Sequence, residues 1–258
     1  LYLFLWMHSD VKRSVNLDIM TKSYLVLIFI ITQVLCVFAQ DNSVSVAGEK
    51  RLKNIRQLTF GGENAEAYFS SDGKRLVFQS KRDGRGCDQI YAMNADGSNL
   101  KMVSNAEGRT TCSYFFKGGK KVLYASTFAN KKECPIEPDR SKGYVWPVYA
   151  EYEIYTSTPD GKKIKNLTDT PGYDAEATVS PDGKKIIFTS ERDGDLELYL
   201  MDVNGKNVKR LTSELGYDGG AFFSPDSKQI VYRRSNPQTS GEISRYKDLL
   251  SQHLVVPT

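Results

Sequence analysis

The chain has 258 residues, 40% hydrophobic and 26% charged, with a formal net charge of +4. That is the balance of an ordinary globular chain, and the absence of any block of like charge excludes a basic nucleic-acid footprint. Two histidines and four cysteines without Cys-x-x-Cys spacing exclude a multi-histidine zinc site and a paired-thiolate metal site.

The chain begins with Leu1, and Met20 opens a better start. Lys22 supplies a short basic region, Tyr24 to Phe38 is an apolar run broken only by Thr32 and Gln33, and Ala39 precedes Gln40 as a small residue at a cleavage site. The run is short of the roughly 20 residues that span a bilayer. We therefore read 1–19 as upstream sequence, 20–39 as a cleavable signal peptide and 40–53 as a linker. A lipid anchor at Cys36 fits poorly, because Leu35 is bulky where a small residue is preferred. The expected location is periplasmic or secreted, with no membrane span after cleavage. Without residues 1–39 the net charge is +3, and Cys87, Cys112 and Cys134 remain. One disulfide among these three is expected in an oxidising compartment, with the pairing open.

From residue 54 one pattern repeats: apolar strand, tight turn, apolar strand. The copies are 67–80 (AYFSSDGKRLVFQS), 113–124 (SYFFKGGKKVLY), 177–190 (ATVSPDGKKIIFTS) and 221–232 (AFFSPDSKQIVY). Their turn anchors, Asp72, Gly118, Asp182 and Asp226, are spaced by 46, 64 and 44 residues. Such periods of short strands predict radial blades, because one unit cannot bury both of its apolar faces. Third strands follow at 89–94, 153–156 and 197–202, then turns at Asp96-Gly97, Asp160-Gly161 and Asn204-Gly205. Short outer strands end in Leu-Thr at 164–168 and 208–212. The expected fold is all-β, a propeller of four-stranded antiparallel blades at about 60–104, 105–168, 169–212 and an incomplete 213–258. The segment 55–59 (IRQLT) matches an outer strand but precedes the first hairpin. It reads as an orphan strand that would complete the last blade, so the expectation is a truncated larger ring.

Two insertions break the period. One runs from Ala129 to Ala150. The other runs from Ser240 to Leu254, where Ile243, Tyr246, Leu249 and Leu250 have helical spacing. Long loops on a rigid scaffold are frequent binding elements; capping of exposed blade edges is the structural alternative. Recurrent Phe78, Tyr124, Phe188 and Tyr232, and Tyr91, Tyr155 and Tyr199, read as packing between sheets.

The stretch 180–190, followed by Arg192, Asp193 and Gly194, resembles the WD40-like (PD40) propeller repeats of the TolB type, and the resemblance covers 54–258. It implies a periplasmic propeller that holds partner proteins, as in the Tol–Pal envelope system. The chain departs from TolB in showing no N-terminal α/β domain between Gln40 and the first repeat. The same repeats resemble the propellers that precede serine peptidase domains of the prolyl oligopeptidase type.

No catalytic constellation is legible. His253 is the one histidine after residue 39, and neither a Gly-x-Ser-x-Gly elbow nor a phosphate loop appears. Strand entries and the loops joining second to third strands should share one face. There Glu66, Asp174, Glu176 and Asp218 are expected to ring a channel mouth, with Arg82 and Arg192 outside it. That ring reads as a recognition surface for a cationic peptide segment, or for a cation held by converging oxygens. The alternative is that Arg and Asp tie neighbouring blades together through ion pairs. Trp146 and Tyr149, outside the repeat, are candidates for an exposed sticky patch. The expected function is a non-catalytic protein- or peptide-binding scaffold without cofactor, in the cell envelope. A peptidase-gating propeller and a carbohydrate-binding or lyase propeller are the alternatives.

Overall fold

In the computed structural model the described residues are 44, 47–141 and 143–256. The segments 1–19 and 20–39, with Cys36, lie outside them. Two compact units are present, up to Leu58 and from Thr59 onward. In the first, the Val44 amide donates to the Ile55 carbonyl at 2.9 Å, and the Glu49 carboxylate accepts the Arg51 and Leu52 amides.

The second unit is built of antiparallel sheets. Strands β1 (Glu63–Phe69), β2 (Arg75–Lys81), β3 (Gln89–Asn94) and β4 (Lys101–Met102) form the first blade in that order. The second holds β5 (Thr110–Phe115), β6 (Val122–Ser126), β8 (Glu153–Ser157) and β9 (Lys165–Asn166). It is interrupted by β7 (Trp146–Pro147). The third contains β10 (Asp174–Val179), β11 (Lys185–Ser190), β12 (Glu197–Asp202) and β13 (Lys209–Arg210); β14 (Asp218–Phe223) and β15 (Ile230–Arg234) begin a fourth. Innermost strands β1, β5, β10 and β14 lie side by side in succession, as the blades of a propeller require.

The turns explain why these segments fold locally. Ser70, Ser180 and Ser224 each donate a hydroxyl hydrogen bond to the Asp two residues on, at 2.6 Å. Those carboxylates accept the amides of Lys74, Lys184 and Lys228. Gly73 and Gly183 then take the left-handed backbone at φ 68° and 78°, the conformation glycine reaches without steric cost. In the fourth copy Ser227 adopts the same conformation at φ 63°.

Between sheets the core is aromatic and β-branched. Phe78, Tyr124 and Phe188 are buried and pair across their sheets with Tyr91, Tyr155 and Tyr199 at ring distances of 6.2, 6.1 and 5.8 Å. Truncating such a ring costs about 3–5 kcal/mol.

Helix α1 (Ser240–Ser251) occupies the second insertion. Thr239 caps it, accepting the Glu242 amide while the Glu242 side chain reaches back to the Thr239 amide. Tyr246 and Leu250 are its buried side chains, and β16 (Leu254–Val255) follows and pairs antiparallel with β7. The two insertions are therefore joined by backbone hydrogen bonds. Among the described residues no helix is long and apolar enough to cross a membrane.

Candidate functional site

Each innermost strand carries a bulge at the same place. Register shifts fall between Ala65 and Tyr68, Thr111 and Tyr114, Ala175 and Thr178, and Gly219 and Phe222. At each bulge one residue has positive φ: Glu66 at 51°, Cys112 at 52°, Glu176 at 56° and Gly220 at 59°. For a side-chain-bearing residue this conformation is strained. The bulge swings all four positions onto the wall of one cavity of about 460 Å³.

The first insertion adds Arg140, Tyr144, Trp146 and Tyr149 to that wall, and Arg109 and Arg233 line it from outside the insertion. The insertion is fixed at three places: a disulfide joins Cys134 to Cys87 of the first blade, with Cα atoms 5.7 Å apart; the pairing of β7 with β16 holds its far end; and Arg109 binds Asp88 at 2.8 Å and Glu137 as well. A second cavity of about 750 Å³ lies between the insertion and α1, and Tyr144, Pro147 and Tyr149 face both cavities.

The two wall carboxylates differ in their surroundings. Glu176 accepts the Tyr173 hydroxyl at 3.0 Å on one oxygen. On the other it accepts the Tyr217 hydroxyl at 2.7 Å, the Gly220 amide at 2.6 Å and the Thr189 hydroxyl at 3.3 Å. A Cβ at Gly219 would collide with the Tyr217 hydroxyl and the Glu176 carboxylate, so glycine permits this approach. Glu176 thereby links the third blade to the fourth. In the first blade Gln79 performs the matching task, its side-chain oxygen accepting the Cys112 amide at 3.2 Å. Glu66 has no such tie among the described residues and is exposed. Desolvation, with Glu176 and Asp88 adding to it and Arg233 opposing it, holds the Glu66 carboxyl above the usual carboxylate range. Desolvation, with Glu66 and Glu176 adding to it, pushes the Cys112 thiol well up, so it is a poor nucleophile.

The expected ring of four carboxylates is divided by the structure. Glu66 and Glu176 line the cavity, whereas Asp174, Asp218, Arg82 and Arg192 stand outside its lining. Arg192 donates to both oxygens of buried Asp174 and stacks over Phe188 and Tyr199 at 5.3 and 4.8 Å. Arg82 repeats the arrangement, reaching Asn64 and stacking over Phe78 and Tyr91. Asp83 and Asp193 accept the hydroxyls of Tyr91 and Tyr199. The Arg-Asp-Gly loops thus latch the first and third blades each to itself, a correction to the expected tie between neighbouring blades. In the fourth blade Asn236 stands where Arg192 stands in the third. Asp218 is left with Arg234 at 3.8 Å, and burial pushes its carboxyl up to about 6.

Trp146 and Tyr149 are half-buried on the cavity wall, while Tyr144 is 62% exposed. The sequence reading overlooked Arg233, Arg109 and Cys112 as wall residues. Aligning the repeats would have found Cys112, since positions 66, 112, 176 and 220 keep the same spacings as the turn anchors. Among the described residues no group of three or more His, Cys, Asp or Glu side chains is placed to hold a metal ion.

Comparison with known proteins gives one consistent answer for the fold. The TolB beta propeller domain family, PD40, matches residues 144–255. A TolB homolog of Chlorobium chlorochromatii is 28% identical over 142 residues, which is 46% of this chain and 32% of that protein. The Tol-Pal system protein TolB of Bordetella pertussis is 32% identical over 113 residues, 38% of this chain and 23% of that protein. Among solved structures, TolB from Acinetobacter baumannii superposes with a TM-score of 0.52 at 22% identity, covering 69% of this chain and 39% of the other. A TolB-type protein of Agrobacterium tumefaciens gives 0.51 at 22%, covering 67% and 54%. The matched region spans a third or less of these curated relatives. Residues 144–255 are thus similar to TolB-type PD40 propeller repeats.

Proposed function

We propose that the chain is an exported, non-catalytic propeller that binds a segment of a partner protein in the cell envelope, at the cavity closed by the first insertion. The observation that carries this reading is the cavity itself. It holds about 460 Å³, it is walled by Tyr144, Trp146 and Tyr149, and its wall is fixed by a disulfide and a strand pair. Preorganised aromatic walls with a few polar groups suit a peptide or loop better than a flat domain surface. The Cys87–Cys134 disulfide supports an oxidising compartment, and with it the reading of 20–39 as a signal peptide. Relatives named for the Tol-Pal system support an envelope role.

Site-specific photocrosslinking in the cell that makes this protein tests the reading. A photoreactive residue at Tyr144 is expected to capture one defined protein, while the same group at Lys184, in the turn between β10 and β11, captures none. Equal capture from both positions, or none from Tyr144, overturns it.

A further inference from the structure

Three guanidinium groups line the cavity, and they are unequally matched. Arg109 is bound by Asp88 and Glu137, and Arg140 lies 3.5 Å from Glu137. Among the described residues Arg233 has no carboxylate at salt-bridge distance. Its guanidinium carbon lies 5.5 Å from the ring centre of Trp146. Stacking holds the plane of an arginine and leaves its fork of N–H donors along the edge, the geometry that receives a carboxylate bidentately.

Two of the three carboxylates of the same wall are already occupied. Glu176 accepts from Tyr173, Tyr217, Thr189 and the Gly220 amide, and Asp88 is paired with Arg109; the third, Glu66, is exposed and feels the charge of Arg233 without pairing with it. A cation entering the cavity therefore meets one carboxylate with oxygens to spare, whereas an anion meets a donor set with spare capacity. Ser113 also lines the cavity, at 1% exposure, and its hydroxyl has no hydrogen-bond partner. A buried hydroxyl left unpaired is costly; able to donate or accept, it favours a polar ligand without setting the sign of its charge.

We propose that the cavity selects a peptide carboxylate, bound at Arg233 beside Trp146. This rests on the peptide-binding reading above and reverses the charge preference expected from the sequence. The carboxylate is either the partner's C-terminus or an acidic side chain, and the chemistry at Arg233 is common to both.

The test uses the full chain after signal removal, in which Trp146 is the one tryptophan and reports binding by its fluorescence. Four probes are titrated: acetyl-Gly-Ala-Phe with a free carboxylate, the same peptide amidated, acetyl-Gly-Glu-Phe-amide and acetyl-Gly-Lys-Phe-amide. At least one acidic probe is expected to bind about tenfold more tightly than the neutral amide. The tighter of the two acidic probes identifies the source of the carboxylate. Arg233→Gln should abolish the preference and Arg233→Lys should retain part of it, with circular dichroism unchanged in both. Equal binding of acid and amide, preference for the lysine probe, or no binding of either acidic probe at millimolar concentration overturns the inference. If Tyr144 still captures one protein while the acid preference fails, the peptide-binding reading stands and only the charge assignment falls.

Discussion

Nη2 of Arg192 lies 3.1 and 2.9 Å from the two carboxylate oxygens of Asp174, and both residues belong to a single blade. Asp174 is 1% exposed, so removing the arginine leaves an uncompensated buried charge. Arg192→Ala is expected to cost about 3–5 kcal/mol. Arg82 makes the equivalent reach to the neutral Asn64, so Arg82→Ala should cost only about 1 kcal/mol. Urea denaturation of the two variants measures the contrast, and equal losses would sink the assignment.

Glu176 and Glu66 occupy equivalent bulges and should respond oppositely to loss of charge. Glu176→Gln turns an acceptor of four donors into a group that itself donates, and is expected to cost about 1–3 kcal/mol. Glu66 is held above its ordinary range chiefly by desolvation, so Glu66→Gln at pH 8 should leave stability unchanged or raised. A loss for Glu66→Gln as large as that for Glu176→Gln would show that both carboxylates are structural ties.

The third strands give a pH-dependent case. Glu197 is paired with Arg210 at 2.8 Å, but in the second blade Asn166 stands in the place of that arginine and Glu153 is left with the Thr170 amide, which donates to it at 3.2 Å. Burial pushes the Glu153 carboxyl up to about 7, against an ordinary value of 4.5. The folded state therefore binds this proton more tightly than the unfolded chain does. The contribution of Glu153 to stability falls as pH rises from about 4.5 to about 7 and is level above that. Glu153→Gln should be more stable than the parent at pH 8 by up to about 3 kcal/mol, with the advantage gone at pH 4. Thermal melts across this range decide it, and a difference independent of pH would refute it.

The Cys87–Cys134 disulfide closes a loop with a sequence separation of 47 residues. Reduction, or Cys134→Ser with Cys87→Ser, is expected to cost about 2–5 kcal/mol. Calorimetry with and without a phosphine reductant measures the loss, and hydrogen exchange should rise first in 127–152. An unchanged melting temperature would mean that the insertion is held by β7, β16 and Arg109 alone.

The blades were legible because their cause is local. A serine and an aspartate at fixed offsets specify three of the four turns, with glycine completing two of them, and Phe188 against Tyr199 or Phe78 against Tyr91 repeat the packing that follows. The helical spacing of Ile243, Tyr246, Leu249 and Leu250 was equally visible, whereas the Thr239 and Glu242 capping box was overlooked. The pairing of Trp146 and Pro147 with Leu254 and Val255 was not, since two-residue strands carry no periodicity and the partners are far apart in the chain. Nor could charge alone separate Glu66 from Asp174. Both are acids near a strand entry, and only the bulge decides which faces the cavity and which meets an arginine.

That bulge also sets the terms on which the chain tolerates change. Left-handed backbone disfavours every β-carbon and β-branched side chains most of all. In a saturation library selected for folding, valine, isoleucine and threonine should vanish from positions 66, 112, 176 and 220 alike. Glycine should be enriched at 66 and 112, where no interblade carboxylate bond is lost, and depleted at 176, where one is. Glycine is already present at 220, so that copy of the repeat has the least to gain.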